Sequence, residues 1–351
     1  MKHLWCLGAL IGALAVSACS TVGDTGSDSD QDDIAGGTVV LVTHDSFNVS
    51  GRVLRAFEQS SGLDVKIRRP GDAGTLVNQL VLTKDAPLGD VAFGIDNTFA
   101  SRALNEEVLV PYESPALPEG VEELLVDDTS RLSPVDFGDV CINADLRWFT
   151  DHDLPVPETL QDLADPAYEG LLVVSDPATS SPGLAFLMGT VVAFGEQGWL
   201  DYWERLRDNG VKVANGWSDA YYVDFSGSDG EGPRPLVLSY ASSPPSEVEG
   251  GRATTRALLD TCFRQVEYVG VLEGAENPDG ARAVVDFLLS PQFQADLPRQ
   301  MYVYPADPEA ELPPQWERFA PVPENPFLLT APQIDANRSR WVQEWTDTVV
   351  G

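Results

Sequence analysis

The sequence predicts an α/β protein of two lobes joined by a pair of strands, and three observations carry that expectation. Short β-branched runs alternate with helix-like stretches along most of the chain. Two longer extended segments, Ser133–Asn143 and Cys262–Leu272, lie far apart and each contains one cysteine. The length of 351 residues, with 43% hydrophobic content, suggests two domains and is ample for two cores.

Taken in order, residues 1–18 read as an export signal: Lys2 supplies a positive start, Leu4–Val16 a short apolar run, and the small Ser17 and Ala18 precede Cys19. The run is shorter than the ~20 residues of a bilayer-crossing helix. Val16–Cys19 (VSAC) resembles a bacterial lipobox, in which the cysteine sulfur takes a diacylglycerol and becomes the new amino terminus. Cys19 is therefore the expected lipid anchor on the extracytoplasmic face of the membrane, with ordinary cleavage as the alternative. Residues 19–37 hold Asp24, Asp28, Asp30, Asp32 and Asp33 among Ser, Thr and Gly, and predict a disordered acidic tether with little to bury.

Strands are expected at Thr38–Thr43, Val65–Arg68, Val91–Phe93, Leu171–Val174, Val211–Ala214 and Leu236–Ser239. Helices are expected at Arg52–Gln59, Thr75–Leu82, Leu184–Phe194, Leu200–Arg207, Ala281–Leu289 and Ser339–Thr348. Of four cysteines, Cys6 and Cys19 belong to the signal region, leaving Cys141 and Cys262. In an exported chain the simplest fate of that pair is a disulfide, the alternatives being buried thiols or a metal site. His3, His44 and His152 offer no metal-ligand spacing, so no metal is expected. Pairing the two extended segments gives a discontinuous first lobe, 38–134 plus 271–351, and a second lobe, 135–270. Two consecutive domains would give the cysteines no reason to meet.

The charge narrows function. With 22 Lys+Arg against 55 Asp+Glu the net charge is −33, which repels phosphate backbones and excludes nucleic acid as a partner. No G-x-S-x-G, H-E-x-x-H, Walker-type or G-x-G-x-x-G motif is present, and neither His44 nor His152 has an evident nucleophile partner. Catalysis is not expected.

Eight blocks then occur in order: Thr43–Phe47 (THDSF), Asp72–Leu80 (DAGTLVNQL), Asp90–Asn97 (DVAFGIDN), Phe137–Asp139 (FGD), Ser175–Leu184 (SDPATSSPGL), Gly216–Tyr221 (GWSDAY), Leu238–Pro244 (LSYASSP) and Tyr302–Pro305 (YVYP). Together they resemble the thiamine-binding substrate-binding proteins of bacterial ABC importers, over nearly the whole mature chain. The resemblance implies a type II periplasmic-binding-protein fold, a monomer that closes two lobes over one ligand, and delivery to an ABC permease and its ATPase. It needs no cofactor. Thiamine joins a permanently cationic thiazolium to a flat aminopyrimidine, so a cleft for it should offer aromatic faces, a carboxylate and oriented hydroxyls.

By that resemblance the aromatic positions are Trp217, Tyr221 and Tyr240, the carboxylate is Asp72 and the hydroxyl is Ser180. Ser181 shares a helix start suited to an oxygen or phosphate, and Asp45 ends the first strand. Each has a plainer role: core packing for the aromatics, with Tyr222 competing for the inward direction of Tyr221, and helix capping for Asp72 and the serines. Three positions depart from the family pattern. His44 stands where a Tyr is common, Tyr302 where a Trp is common, and Ser246 where a Tyr is frequent. These departures make a shallower aromatic box, which is expected to weaken affinity for thiamine or shift preference towards a precursor, a phosphate ester or another cationic heterocycle; a carrier for a polyamine or other organic cation is an alternative, and Tyr221-Tyr222 also suggests the paired phenolates of an iron(III) carrier.

Overall fold

The computed structural model describes residues 36–229 and 232–351. The expected signal at 1–18, Cys19 and the tether as far as residue 35 lie outside the described residues; Gly37, at the end of that tether, opens the first strand.

Strands β1 (Gly37–Thr43), β2 (Leu63–Arg68) and β3 (Val91–Asp96) are parallel, in the order β2-β1-β3, with helices α1 (Gly51–Ser61) and α2 (Ala73–Leu82) in the crossovers. Parallel strands need such helical returns, and the helices hide the sheet from water. α2 begins where Asp72 accepts the N–H of Ala73 and buries Leu76, Val77 and Leu80. After β3 come α3 (Ala100–Asn105) and the two-residue β4 (Leu109–Val110).

The long β5 (Ser133–Asp145) and α4 (Leu146–Asp151) lead to a second parallel set: β6 (Leu172–Ser175), α5 (Ser181–Asp208), β7 (Lys212–Ala214), the short turn α6 (Trp217–Asp219) and β8 (Leu236–Tyr240). Here β6 pairs with both β7 and β8. A small hairpin, β9 (Val248–Glu249) and β10 (Arg252–Ala253), precedes β11 (Thr255–Leu272), which returns antiparallel to β5 and continues beside β3. The sheet order is β2-β1-β3-β11-β5-β8-β6-β7. Two parallel half-sheets joined through an antiparallel pair are the two α/β lobes and two-strand connection of the type II periplasmic-binding-protein fold.

The disulfide Cys141–Cys262 forms, tying β5 to β11 where the register between them shifts. The chain ends with α7 (Pro278–Leu289), α8 (Pro291–Gln294), α9 (Leu297–Gln300), β12 (Tyr304–Pro305) on β5, α10 (Pro314–Phe319) and α11 (Ala331–Val349).

Two helices differ from expectation. Leu184–Phe194 and Leu200–Arg207 belong to one element, α5, which keeps going through a kink at Gly195 (φ 69°, ψ 171°). Glycine alone adopts that conformation cheaply, so the break costs one residue rather than a loop. The terminal helix starts at Ala331 rather than near Ser339, because Thr330 and Gln333 form a reciprocal capping box. α11 lies across both halves. Trp345 meets Trp203 of α5 edge-on at 5.5 Å, while Asp335 accepts a hydrogen bond from Asn105 of α3 at 2.9 Å and Arg338 lies over Phe99. Among the described residues no helix is long and apolar enough to cross a membrane.

Candidate functional site

A cavity of about 450 Å³ opens between the two half-sheets. Its walls come from the carboxyl ends of strands and the helix starts after them, where open α/β sheets place ligands. Of the residues expected at the site, His44, Asp45, Asp72, Ser181, Trp217, Tyr240 and Tyr302 line it. Ser180 and Tyr221 do not. Both are fully buried, and Tyr222 lines the cavity in place of Tyr221.

Trp217 organises the aromatic wall. Its indole stacks on Tyr221 with centroids 5.0 Å apart and an 18° interplanar angle, and Tyr222 stands edge-on to it at 5.5 Å. The indole N–H donates to the Ser239 hydroxyl at 3.0 Å, which fixes the ring's rotation. Tyr221 thus backs the indole from behind, its hydroxyl donating to Glu247 at 3.0 Å. Tyr240 donates to Gln265 Oε1 at 3.1 Å, and Gln265 in turn donates to Ser181 Oγ at 2.8 Å, so the tyrosine and the helix start are held by one chain of bonds.

Tyr302 has φ 59°, a left-handed conformation that is costly for an aromatic residue. Strain of this kind persists where surroundings over-determine it. Here Ser242 donates to the Tyr302 carbonyl, and the Tyr222 and Tyr302 hydroxyls meet at 3.2 Å.

Asp72 does two things at once. One carboxylate oxygen accepts the Ala73 N–H at 2.7 Å, capping α2, and the other accepts the Trp217 N–H at 3.0 Å from the opposite wall. Gly216 permits this approach, since a Cβ there would stand 2.8 Å from the carboxylate. Burial raises the carboxyl's pKa against the pull of those two N–H groups. Two further bonds join the halves: Ser46 to Ser218 at 3.1 Å, between two residues of the cavity wall, and the Gly74 N–H to the Thr179 carbonyl at 3.0 Å. Partial burial also raises Asp45, against the nearby positive charge of Arg69, with Asp219 adding to the rise.

His44 packs against Phe93 at 5.7 Å, and Gly94 of β3 leaves room for it, because a Cβ there would stand 2.1 Å from the ring. Burial, aided by the charge of Arg69, pushes the imidazole down to about 4. It is neutral at physiological pH and does not repel a cation.

Sequence reasoning missed Arg69, Arg299 and Glu267 and left Tyr222 as a competitor of Tyr221; all four line the cavity. Tyr222 is turned inward by the π-turn Ala220–Asp224, whose wider winding no side-chain pattern announces. The other three sit in separate elements with no motif around them. The paired phenolates considered for iron(III) take separate partners, Glu247 for Tyr221 and Tyr302 for Tyr222, with their rings nearly perpendicular. Ser246 is not among the lining residues.

This geometry can hold a flat cation of modest size: aromatic faces on one wall, carboxyl groups on another and two guanidinium groups beside them. A thiamine-binding periplasmic protein of Salmonella typhimurium is 27% identical over 322 residues, 89% of this chain and 93% of that one. Among solved structures, a periplasmic thiamin binding protein superposes with a TM-score of 0.78 at 25% identity, covering 89% of this chain and 96% of that one. Iron-bound HitA from Pseudomonas aeruginosa shares the fold, with a TM-score of 0.70 at 21% identity over 89% of this chain and 99% of that one. The family model described as bacterial extracellular solute-binding protein matches residues 86–327, and the chain belongs to that family.

Proposed function

We propose that this protein captures thiamine, or a phosphate ester of it, between its lobes and hands it to an ABC importer, without changing it chemically. The observation that carries the reading is the wall of Trp217, Tyr222, Tyr240 and Tyr302 around a cavity that also holds Asp45, Asp72 and Glu267. A thiazolium on such a face gains about 0.5 to 2 kcal/mol from each favourable ring, more where water is excluded. Arg69 and Arg299 also line the cavity and supply the positive charge that a phosphate on the hydroxyethyl arm would need. The thiamine-binding relatives support the choice of ligand.

In this reading residues 38–134 with 271–351 and residues 135–270 move as two bodies about β5 and β11. The bonds Asp72 to Trp217 and Ser46 to Ser218 form on closure, and the closed shape is what a permease and its ATPase partner recognise. The protein acts as a monomer, and a diacylglycerol on Cys19 holds it at the extracytoplasmic membrane face through the expected tether of residues 19–37.

Calorimetry and tryptophan fluorescence on refolded, ligand-free protein test this. Saturable binding of thiamine or its phosphates at micromolar or lower concentration is expected. A folded protein that ignores all of them, or that turns coloured with ferric iron through phenolate charge transfer, overturns it.

A further inference from the structure

Three carboxyl groups stand in one row beneath the cavity. The strand register places Glu267 of β11 opposite Asp96 of β3 on one side and opposite Asp136 of β5 on the other. Residues opposed in this way present their side chains on one sheet face, and like charges there repel. All three are buried, at 0% exposure for Asp96 and Asp136 and 5% for Glu267.

The row is unevenly satisfied. Asp96 is held by the Thr98 hydroxyl at 2.8 and 2.9 Å and by the Phe99 N–H at 3.2 Å. Neither oxygen of Asp136 meets any donor other than the neighbouring Glu267 carboxyl, and the nearest base to Glu267 is the His44 imidazole at 3.4 Å. Two adjoining carboxylates without water or a cation are the costly arrangement; one carboxylic acid beside one carboxylate is the cheap one. Of the three, Glu267 alone reaches the cavity, next to a register shift between Glu267 and Tyr268 that bends the strand there.

We propose that Asp136 and Glu267 share one proton in the ligand-free protein, and that a permanent cation entering the cavity drives that proton out to solvent. Capture of the ligand and release of a proton are then one event. The proposal deepens the thiamine reading and rests on it.

The surroundings favour a retained proton. Burial raises both Asp136 and Glu267; the Asp136 charge and the bond between them push Glu267 higher still, while that bond draws Asp136 back down, and burial raises Asp96 to about 7. The groups facing the pair are Asp96 from β3, Asp72 before α2, neutral His44 and the buried Tyr240 hydroxyl; Arg69 and Arg299 are the cations on the cavity wall. None of these cations pairs with Glu267 among the salt bridges of the described residues. A bound thiazolium supplies the missing positive charge, which makes the second carboxylate affordable, and the displaced proton passes to buffer.

The test is calorimetric titration of the protein with thiamine above about pH 6.5, in buffers of different ionisation heat, so that the proton count is read directly. Release of roughly 0.5 to 1 proton per ligand is expected, with affinity rising up to about tenfold per pH unit. Glu267→Gln, which imitates the protonated side chain, should abolish both effects. Asp136→Asn should reduce them although Asp136 does not line the cavity, a result that mere loss of a contact cannot give. Thiamine binding by wild-type protein without proton release overturns this inference alone, as does full release from Glu267→Gln. Failure of wild-type protein to bind thiamine removes it together with the ligand assignment.

Discussion

At Trp217, packing and the cavity fall on different sides of one side chain: Tyr221 covers a face of the indole, Ser239 holds its N–H, and the remainder borders the cavity. Trp217→Ala should therefore weaken thiamine binding by more than tenfold in calorimetry, while circular dichroism shows the fold retained. Unchanged affinity would take Trp217 out of the site. The GWSDAY block made this residue legible, as LSYASSP did Tyr240. The choice between Tyr221 and Tyr222 was not legible, since it depends on how a π-turn winds, and Glu267 read as one more residue of an extended run. Its importance comes from what stands opposite it in β3 and β5, which a single chain cannot display.

At the scale of elements, the strands and helices were legible from alternation and capping residues, and the misreadings have local causes. The expected helix ended at Phe194, whereas α5 continues through a kink at Gly195. Its φ of 69° and ψ of 171° belong to glycine, and nothing lies within 4 Å of where a Cβ would be, so Gly195→Ala tests backbone strain alone. It should destabilise by about 1 to 3 kcal/mol in chemical denaturation. The bridge between Cys141 and Cys262 spans 121 residues of sequence and joins strands already paired. Reduction, or Cys262→Ser, should lower stability by about 2 to 4 kcal/mol, and a free-thiol assay on unfolded, unreduced protein lacking the signal region should find neither sulfur reactive.

Over the whole molecule, charge sets the response to conditions. A chain of net charge −33 repels itself, so added salt should raise the melting temperature near neutral pH. The pH dependence follows from proton linkage. Folded Asp96 keeps its proton up to about pH 7 whereas the unfolded residue loses it near 3.8, so its stabilisation is lost as pH rises through that window; raised Asp136 and Glu267 act in the same sense. His44, lowered from 6.5 to about 4, works oppositely, but only between those values. Above pH 6.5 the carboxyl groups act unopposed. Melting temperature should fall from there towards pH 8, and Glu267→Gln should flatten the fall; a rise would contradict the buried acids. The two-lobe plan itself was legible from two distant cysteines in extended segments, whereas the cavity's shape had to be seen.

The terminal helix α11 has unequal footings. On α5 it is set by Trp345 against Trp203, both fully buried; on α3 it rests on Asn105 to Asp335 and on Arg338 over Phe99, contacts of the kind that water can replace. If the lobes part as proposed, this polar footing should let go first, so that α11 departs from the rest of 271–351 and rides with residues 135–270. It is ballast fixed to the far pan of the balance. A dye placed near Asp335 would sense every opening, while Trp345 would glow unchanged through the whole cycle.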